Sequence, residues 1–194
     1  LISEENSYFS FSFEDLLVQI DKHDIISFDM FDTLVMRKVL FPRDVFEYIS
    51  ENYNFDFDFI TERIGTEQEL YKCSNPTLEE IYDAISEKHG IEVSDIINAE
   101  LETEKKMLIS RNKMVEVLNY AVKKGKKVYI VSDMYLTSDK LRAILDNLNI
   151  KGLKHGRMIH GFFSNHFIRK YIIPFENFGK VVLIMKTNKA ILKY

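Results

Sequence analysis

The sequence of 194 residues predicts an α/β protein: an open parallel sheet interrupted by an inserted helical subdomain. Three observations point there. Ile25–Phe28 is a short apolar run without helical spacing, rich in β-branched and aromatic residues, and it stops abruptly at Asp29. Lys127–Val131 is a second such run, and it stops at Ser132 and Asp133. Between them, from about residue 42 to 124, one helical pattern follows another, which is more helix than a single crossover between neighbouring strands needs.

In order along the chain, Phe13, Leu16, Leu17 and Ile20 have the spacing of an amphipathic helix, with Ser12 placed to cap it. The first strand follows. Pro42 suits the first turn of a helix through Val45, Phe46, Tyr48 and Ile49. Further helices are expected over roughly 56–72, 77–89, 94–110 and 112–124, separated by Asn75-Pro76, Gly90 and Ser110-Arg111-Asn112, with no convincing strand among them. Thr77 and Glu80 form a capping-box pattern, and Gly125 suits the left-handed close of the last helix. After the second strand, Thr137-Ser138-Asp139 starts a helix that has Leu141, Ile144, Leu145 and Leu148 on one face. Beyond Ile150 only Val181–Met185 reads as a buried strand.

The domain boundaries expected from this pattern are 1–40 and 125–194 for the α/β core, with 151–194 as an atypical basic segment, and 41–124 for the helical insertion. A hydrophobic content of 46% is enough for a sizeable core and excludes a disordered chain. The single cysteine, Cys73, excludes an internal disulfide framework and a cysteine-rich zinc site, so a reduced, cytoplasmic setting is the expectation. No apolar run reaches the roughly 20 residues of a membrane span, and Leu1–Glu5 lacks a signal peptide's pattern. Charge is unevenly placed: residues 151–194 hold nine of the 26 Lys and Arg but one of the 30 acids, Glu176. A basic end on an acidic body either neutralises that body or meets an anionic partner. Lysines mixed with aromatics such as Phe162, Phe167 and Tyr171 could track a phosphate backbone, but no nucleic-acid motif accompanies them. A terminus translated in another frame after about residue 153 would give the same break in character.

The chemistry is concentrated at Asp29. In open parallel sheets ligands bind beyond the carboxyl ends of strands, where a carboxylate can meet solvent while its strand stays buried. Asp29 and Asp32 could equally serve only to cap the turn that leaves the strand.

The wording Phe28-Asp29-Met30-Phe31-Asp32-Thr33-Leu34 resembles the first motif of the haloacid dehalogenase superfamily, and an apolar strand ending at Ser132 resembles its second. The longer stretch Gly125–Leu136 looks like a bacterial subgroup of hydrolases associated with glycosyltransferases and surface-polysaccharide synthesis. The resemblance covers roughly residues 13–150. It implies a Rossmann-like core, left incomplete by the sequence at its C-terminus, with residues 41–124 as a helical cap. It also implies a magnesium-dependent phosphohydrolase acting on a small phosphorylated metabolite or sugar phosphate, with a glycosyltransferase as the partner to expect. In that reading Asp29 is the nucleophile that forms an aspartyl-phosphate, Ser132 holds a phosphoryl oxygen, and Thr33 and Asp133 contribute to substrate binding. Magnesium would take the Asp29 carboxylate and the Phe31 backbone carbonyl.

The resemblance is interrupted at two places. The family's phosphatases usually carry a second Asp two residues after the nucleophile as general acid and base; here that position is Phe31, and Asp32 is the nearest substitute. No acid follows the Val181–Met185 strand, where magnesium ligands belong, and Lys154, Lys170 and Lys186 compete for the role of the family's lysine. His155, His160 and His166 lack the spacing of a metal site. Weak or absent activity is therefore expected. Two rivals remain: a catalytically silent domain that binds a phosphorylated ligand or a protein, and a haloacid-type dehalogenase, for which Arg37, Arg43 and Arg63 are candidate substrate-binding arginines.

Overall fold

The structure, a computed structural model, describes residues 12–132 and 134–150, together with the backbone of strands at 157–160, 181–184 and 192–193. In chain order the described elements are α1 (Phe13–Lys22), β1 (Ile25–Asp29), β2 (Val35–Arg37), α2 (Asp44–Asn52), α3 (Phe59–Tyr71), α4 (Leu78–His89), α5 (Val93–Met107), β3 (Leu108–Ser110), α6 (Asn112–Lys123), β4 (Lys127–Ser132), α7 (Ser138–Asn147), β5 (Arg157–His160), β6 (Val181–Ile184) and β7 (Leu192–Lys193).

Local signals decide most of these boundaries. Ser12 caps α1 by accepting from the Asp15 N–H, while the Asp15 carboxylate accepts from the Ser12 N–H, both at 3.1 Å. Thr77 and Glu80 make the same reciprocal cap on α4, which closes at Gly90 with φ +67°. Gly125, with φ +70°, follows α6 in the same left-handed region. Helix α2 starts at Asp44 rather than at Pro42, because the Asp44 carboxylate reaches back to the Phe41 N–H (2.8 Å) and the preceding residues form a turn.

The protein is α/β. Its main sheet has the strand order β5-β4-β1-β6-β7. β1 lies parallel to β4, with Ile25 opposite Lys127 and Asp29 opposite Val131, and parallel to β6 on its other edge, with Phe28 opposite Ile184. β5 extends the parallel arrangement beyond β4, and β7 pairs antiparallel with β6. Arg157–His160 and Leu192–Lys193 are strands the sequence did not announce, since neither has an apolar run. β3 is another: the pattern predicts helix to residue 110, whereas α5 ends at Met107 and Leu108–Ser110 pairs with β2 in a separate two-stranded sheet. Met185 and the residues that follow β6 to Ala190 lie outside the described residues, as do Lys154 and Lys170.

The chain divides into two compact units, residues 1–36, 110–134 and 145–194 in one and residues 37–109 and 135–144 in the other. This differs from the expected insertion of 41–124 in two ways. Helix α6 belongs with the sheet unit, where Tyr120 donates to the Asp21 carboxylate of α1 (2.9 Å) and Lys113 sits 5.0 Å over the Phe13 ring. Tyr135 and most of α7 belong with the helices: the Tyr135 carbonyl accepts from the Leu78 N–H (3.1 Å), and Lys140 pairs with Glu79.

The helical unit is built around a buried guanidinium. Arg63 on α3 is completely buried and donates to both oxygens of buried Glu100 on α5 (3.0 and 2.9 Å) and to Glu67 (2.6 Å). Tyr82 Oη donates to Glu100 as well (2.6 Å). Rings of Phe46, Tyr82 and Tyr135 stand 4.7, 5.4 and 4.7 Å from the guanidinium carbon, a favourable cation–π enclosure. Burial works against the charge on Arg63, but Glu100 and the surrounding oxygens outweigh it and hold the pKa well above its ordinary value. The chain enters and leaves this unit through a second pair, Arg37 with buried Glu104 (3.2 and 2.8 Å), next to Lys38 N–H donating to the Met107 carbonyl (2.7 Å).

Removing one partner of a buried ion pair leaves an uncompensated charge and costs about 3–5 kcal/mol, whereas replacing the whole pair by apolar groups is often nearly neutral. Arg63→Met should therefore destabilise the chain by about that amount in urea unfolding, and Arg63→Met combined with Glu100→Leu should recover most of it.

Burial raises the Glu104 pKa, and Arg37 offsets this only in part. The folded state thus holds the Glu104 proton more tightly than the unfolded chain. Its contribution to stability is complete below the ordinary glutamate value of about 4.3 and is lost as pH rises through the folded value. Glu104→Gln should lack this loss, so the stability of the variant relative to the parent should improve across that window when urea midpoints are compared at stepped pH.

Candidate active site

β1 carries Ile25, Ile26, Ser27 and Phe28 buried, and the first residue on it with partial exposure is Asp29. The chain then makes a tight turn around one acceptor. The Met30 carbonyl receives the N–H groups of Thr33 (3.4 Å), Leu34 (2.8 Å) and Val35 (3.1 Å), and Phe31 bridges to Val35. To make this turn Asp32 adopts φ +58°, the left-handed region that Asp and Asn enter more readily than other non-glycine residues.

The turn fixes the Asp29 carboxylate. Oδ1 accepts from the Met30 N–H at 2.8 Å and Oδ2 from the Thr33 hydroxyl at 3.3 Å. Thr33 is completely buried, so its hydroxyl orients Asp29 rather than standing open to solvent. Ser132 ends β4 one residue beyond Val131, the register partner of Asp29; neighbouring strands lie about 4.8 Å apart, so the two residues occupy the same end of adjacent strands. Ser132 is almost fully buried, and its Oγ accepts from the Met134 N–H at 3.4 Å, an arrangement in which a hydroxyl can still donate its own proton. Asp133 lies outside the described residues, and so do the side chains of His155, His160 and His166.

Asp29, Thr33 and Ser132 are thus brought to one strand end, with half-buried Asp32 on the turn between. The strand order also reverses there: the chain steps from β1 to β4 and β5 on one side, then returns to β6 on the other. Crevices at such reversals are where open α/β sheets bind ligands. Among the described residues no group of three or more His, Cys, Asp or Glu is arranged to hold a metal. Among the described residues the hard oxygens at this end are the Asp29 and Asp32 carboxylates and carbonyls of the turn.

Arg37 and Arg63 are committed to Glu104 and Glu100 in the helical unit, and Arg43 stacks over Phe41 at 5.3 Å. The arginine that reaches the Asp29 turn is Arg111, which the sequence marked only as part of a helix break. Its Nη1 donates to the Asp32 carbonyl, and its own N–H donates to the Leu34 carbonyl at 2.8 Å. A contact between residues 79 positions apart has no periodic signal to betray it.

The left-handed turn makes a testable demand. A β-branched residue in that region costs about 1–2 kcal/mol, whereas glycine enters it freely. Asp32→Val should lower stability in urea by about that amount or more, and Asp32→Gly should stay within about 1 kcal/mol of the parent.

In comparisons with known proteins, the chain matches no family model and no curated protein.

Proposed function

We propose that the chain is a phosphohydrolase of the haloacid dehalogenase type, with a Rossmann-like core and the helical unit as its specificity element. The observation that carries this reading is the Asp29 carboxylate, held at both oxygens at the end of a buried parallel strand and flanked by Ser132 on the next strand. In the proposed reaction an Asp29 oxygen attacks the phosphorus of a phosphate monoester, the ester P–O bond breaks, and the leaving oxygen takes a proton from Asp32. Water then attacks the phosphorus of the aspartyl-phosphate while the Asp32 carboxylate takes its proton, which breaks the bond from phosphorus to the Asp29 oxygen, releases inorganic phosphate and restores both Asp29 and the Asp32 proton. Ser132 donates to a non-bridging oxygen. Magnesium would be held by Asp29 and the Phe31 carbonyl, and would supply charge neutralisation at the phosphate.

The substrate class that fits is a small phosphorylated metabolite or sugar phosphate. A cytoplasmic setting and a glycosyltransferase partner belong to the same reading. They are supported by the resemblance of Gly125–Leu136, and by Cys73 as the sole cysteine. Among the described residues no helix is long and apolar enough to cross a membrane.

Phe31, standing where the family's phosphatases carry a second acid, favours a second reading, a silent domain that binds a phosphorylated ligand without turning it over. One experiment separates the two. Asp29→Asn should keep its helical circular dichroism and lose both magnesium-dependent hydrolysis of an aryl phosphate and binding of beryllofluoride. The parent should turn over below the typical enzyme value of about 10 s⁻¹. Undiminished turnover by Asp29→Asn would overturn the nucleophile assignment; a parent that binds inorganic phosphate but never turns over would establish the silent domain.

A further inference from the structure

We infer that Arg111 is a positioning residue that sets the orientation of the Asp29 carboxylate through the turn between them. The inference deepens the proposed function, resting on Asp29 as the reacting group, but its geometric part stands by itself.

Thr33 is bracketed by two carbonyls, those of Asp32 and Leu34, and Arg111 binds both. The guanidinium takes the first and the Arg111 N–H takes the second, at 2.8 Å. The peptide plane between Asp32 and Thr33 is thereby held from outside, while the Met30 carbonyl holds the Thr33 and Leu34 N–H groups from inside. Asp32, at φ +58°, is the residue of this turn least favoured by its own backbone preference, so an external donor to its carbonyl acts where the turn is weakest. What hangs on that plane is the Thr33 hydroxyl, whose 3.3 Å bond to Asp29 Oδ2 is longer than the 2.8 Å bond from the Met30 N–H to Oδ1. Without Arg111 the Thr33 hydroxyl is no longer held in place, and the set of donors that orients the Asp29 carboxylate changes at Oδ2 while Oδ1 keeps the Met30 N–H. Reaction rates depend steeply on such alignment. Arg111, the residue that precedes α6, therefore governs the group at the end of β1 by way of Asp32 and Thr33.

The test compares Arg111→Ala and Arg111→Lys with the parent in the full chain. Carboxyl carbon resonances are read by NMR, with the Asp29 signal assigned by its loss in Asp29→Asn. The expected result is that Arg111→Ala moves the Asp29 carboxyl resonance, leaves the amide signals of Phe28 and Ile130 in place, and lowers kcat about 10- to 100-fold at nearly constant KM, with added guanidinium restoring part of the rate. Arg111→Lys should fall between. An unchanged Asp29 resonance in Arg111→Ala would overturn the inference, as would full kcat or a loss that guanidinium does not rescue. Should Arg111→Ala fail to fold, Arg111→Lys decides by the same resonance, a parental signal overturning the assignment. If the parent itself has no phosphatase activity the proposed function fails, and the Asp29 resonance alone still decides whether Arg111 positions the carboxylate.

Discussion

Strand β1 is enclosed on both edges by parallel neighbours, and this constraint organises the rest of the sheet unit. Its N–H and C=O groups are spent on β4 and β6, and its side chains from Ile25 to Phe28 are taken out of water. A carboxylate could not be placed within that run without a large desolvation cost. The strand end is the first position on β1 where partial solvation returns. Asp29 stands there, and the turn that follows is devoted to holding it: one carbonyl gathers three N–H groups, and two donors meet the two carboxylate oxygens.

The helical unit follows a different rule. Its centre holds Arg63, Glu100, Tyr82 and Tyr135 as well as an apolar core, and each polar group is matched by another. A buried pair of this kind adds little net stability compared with apolar packing, but it tolerates few alternative arrangements, since any shift strands a charge. Within the same unit the Arg37–Glu104 pair closes a second buried charge contact, between the residue that opens the unit and the C-terminal end of α5. The exposed pairs differ in kind. Lys72 with Glu69 and Lys113 with Glu116 stand in water and contribute at most about 1 kcal/mol.

The chemistry proposed for the site depends on very few groups. Asp29 is held, Ser132 is close by register, and Asp32 sits on the same turn. Phe31 occupies the position where the proposed reaction would call for a second acid, which is why the activity proposed is a slow one. Of the three arginines named for the dehalogenase alternative, Arg37 and Arg63 pair with buried carboxylates.

The sequence by itself determined those features whose causes lie within a few residues. The β1 and β4 runs, the capping pairs Ser12–Asp15 and Thr77–Glu80, the left-handed Gly125 and the strand-end position of Asp29 all follow from short-range sterics, hydrogen bonding and apolar periodicity. Only the tertiary structure decided what depends on distant residues meeting. The Arg63–Glu100 pair spans 37 positions, Arg37–Glu104 spans 67, and Arg111 reaches Asp32 across 79. The three strands β3, β5 and β7 belong to the same class: short and with weak patterns of their own, they exist because a neighbouring backbone offers hydrogen bonds. The allocation of α6 to the sheet unit came from the same source, since an apolar helical face shows that it will be buried and leaves open against what.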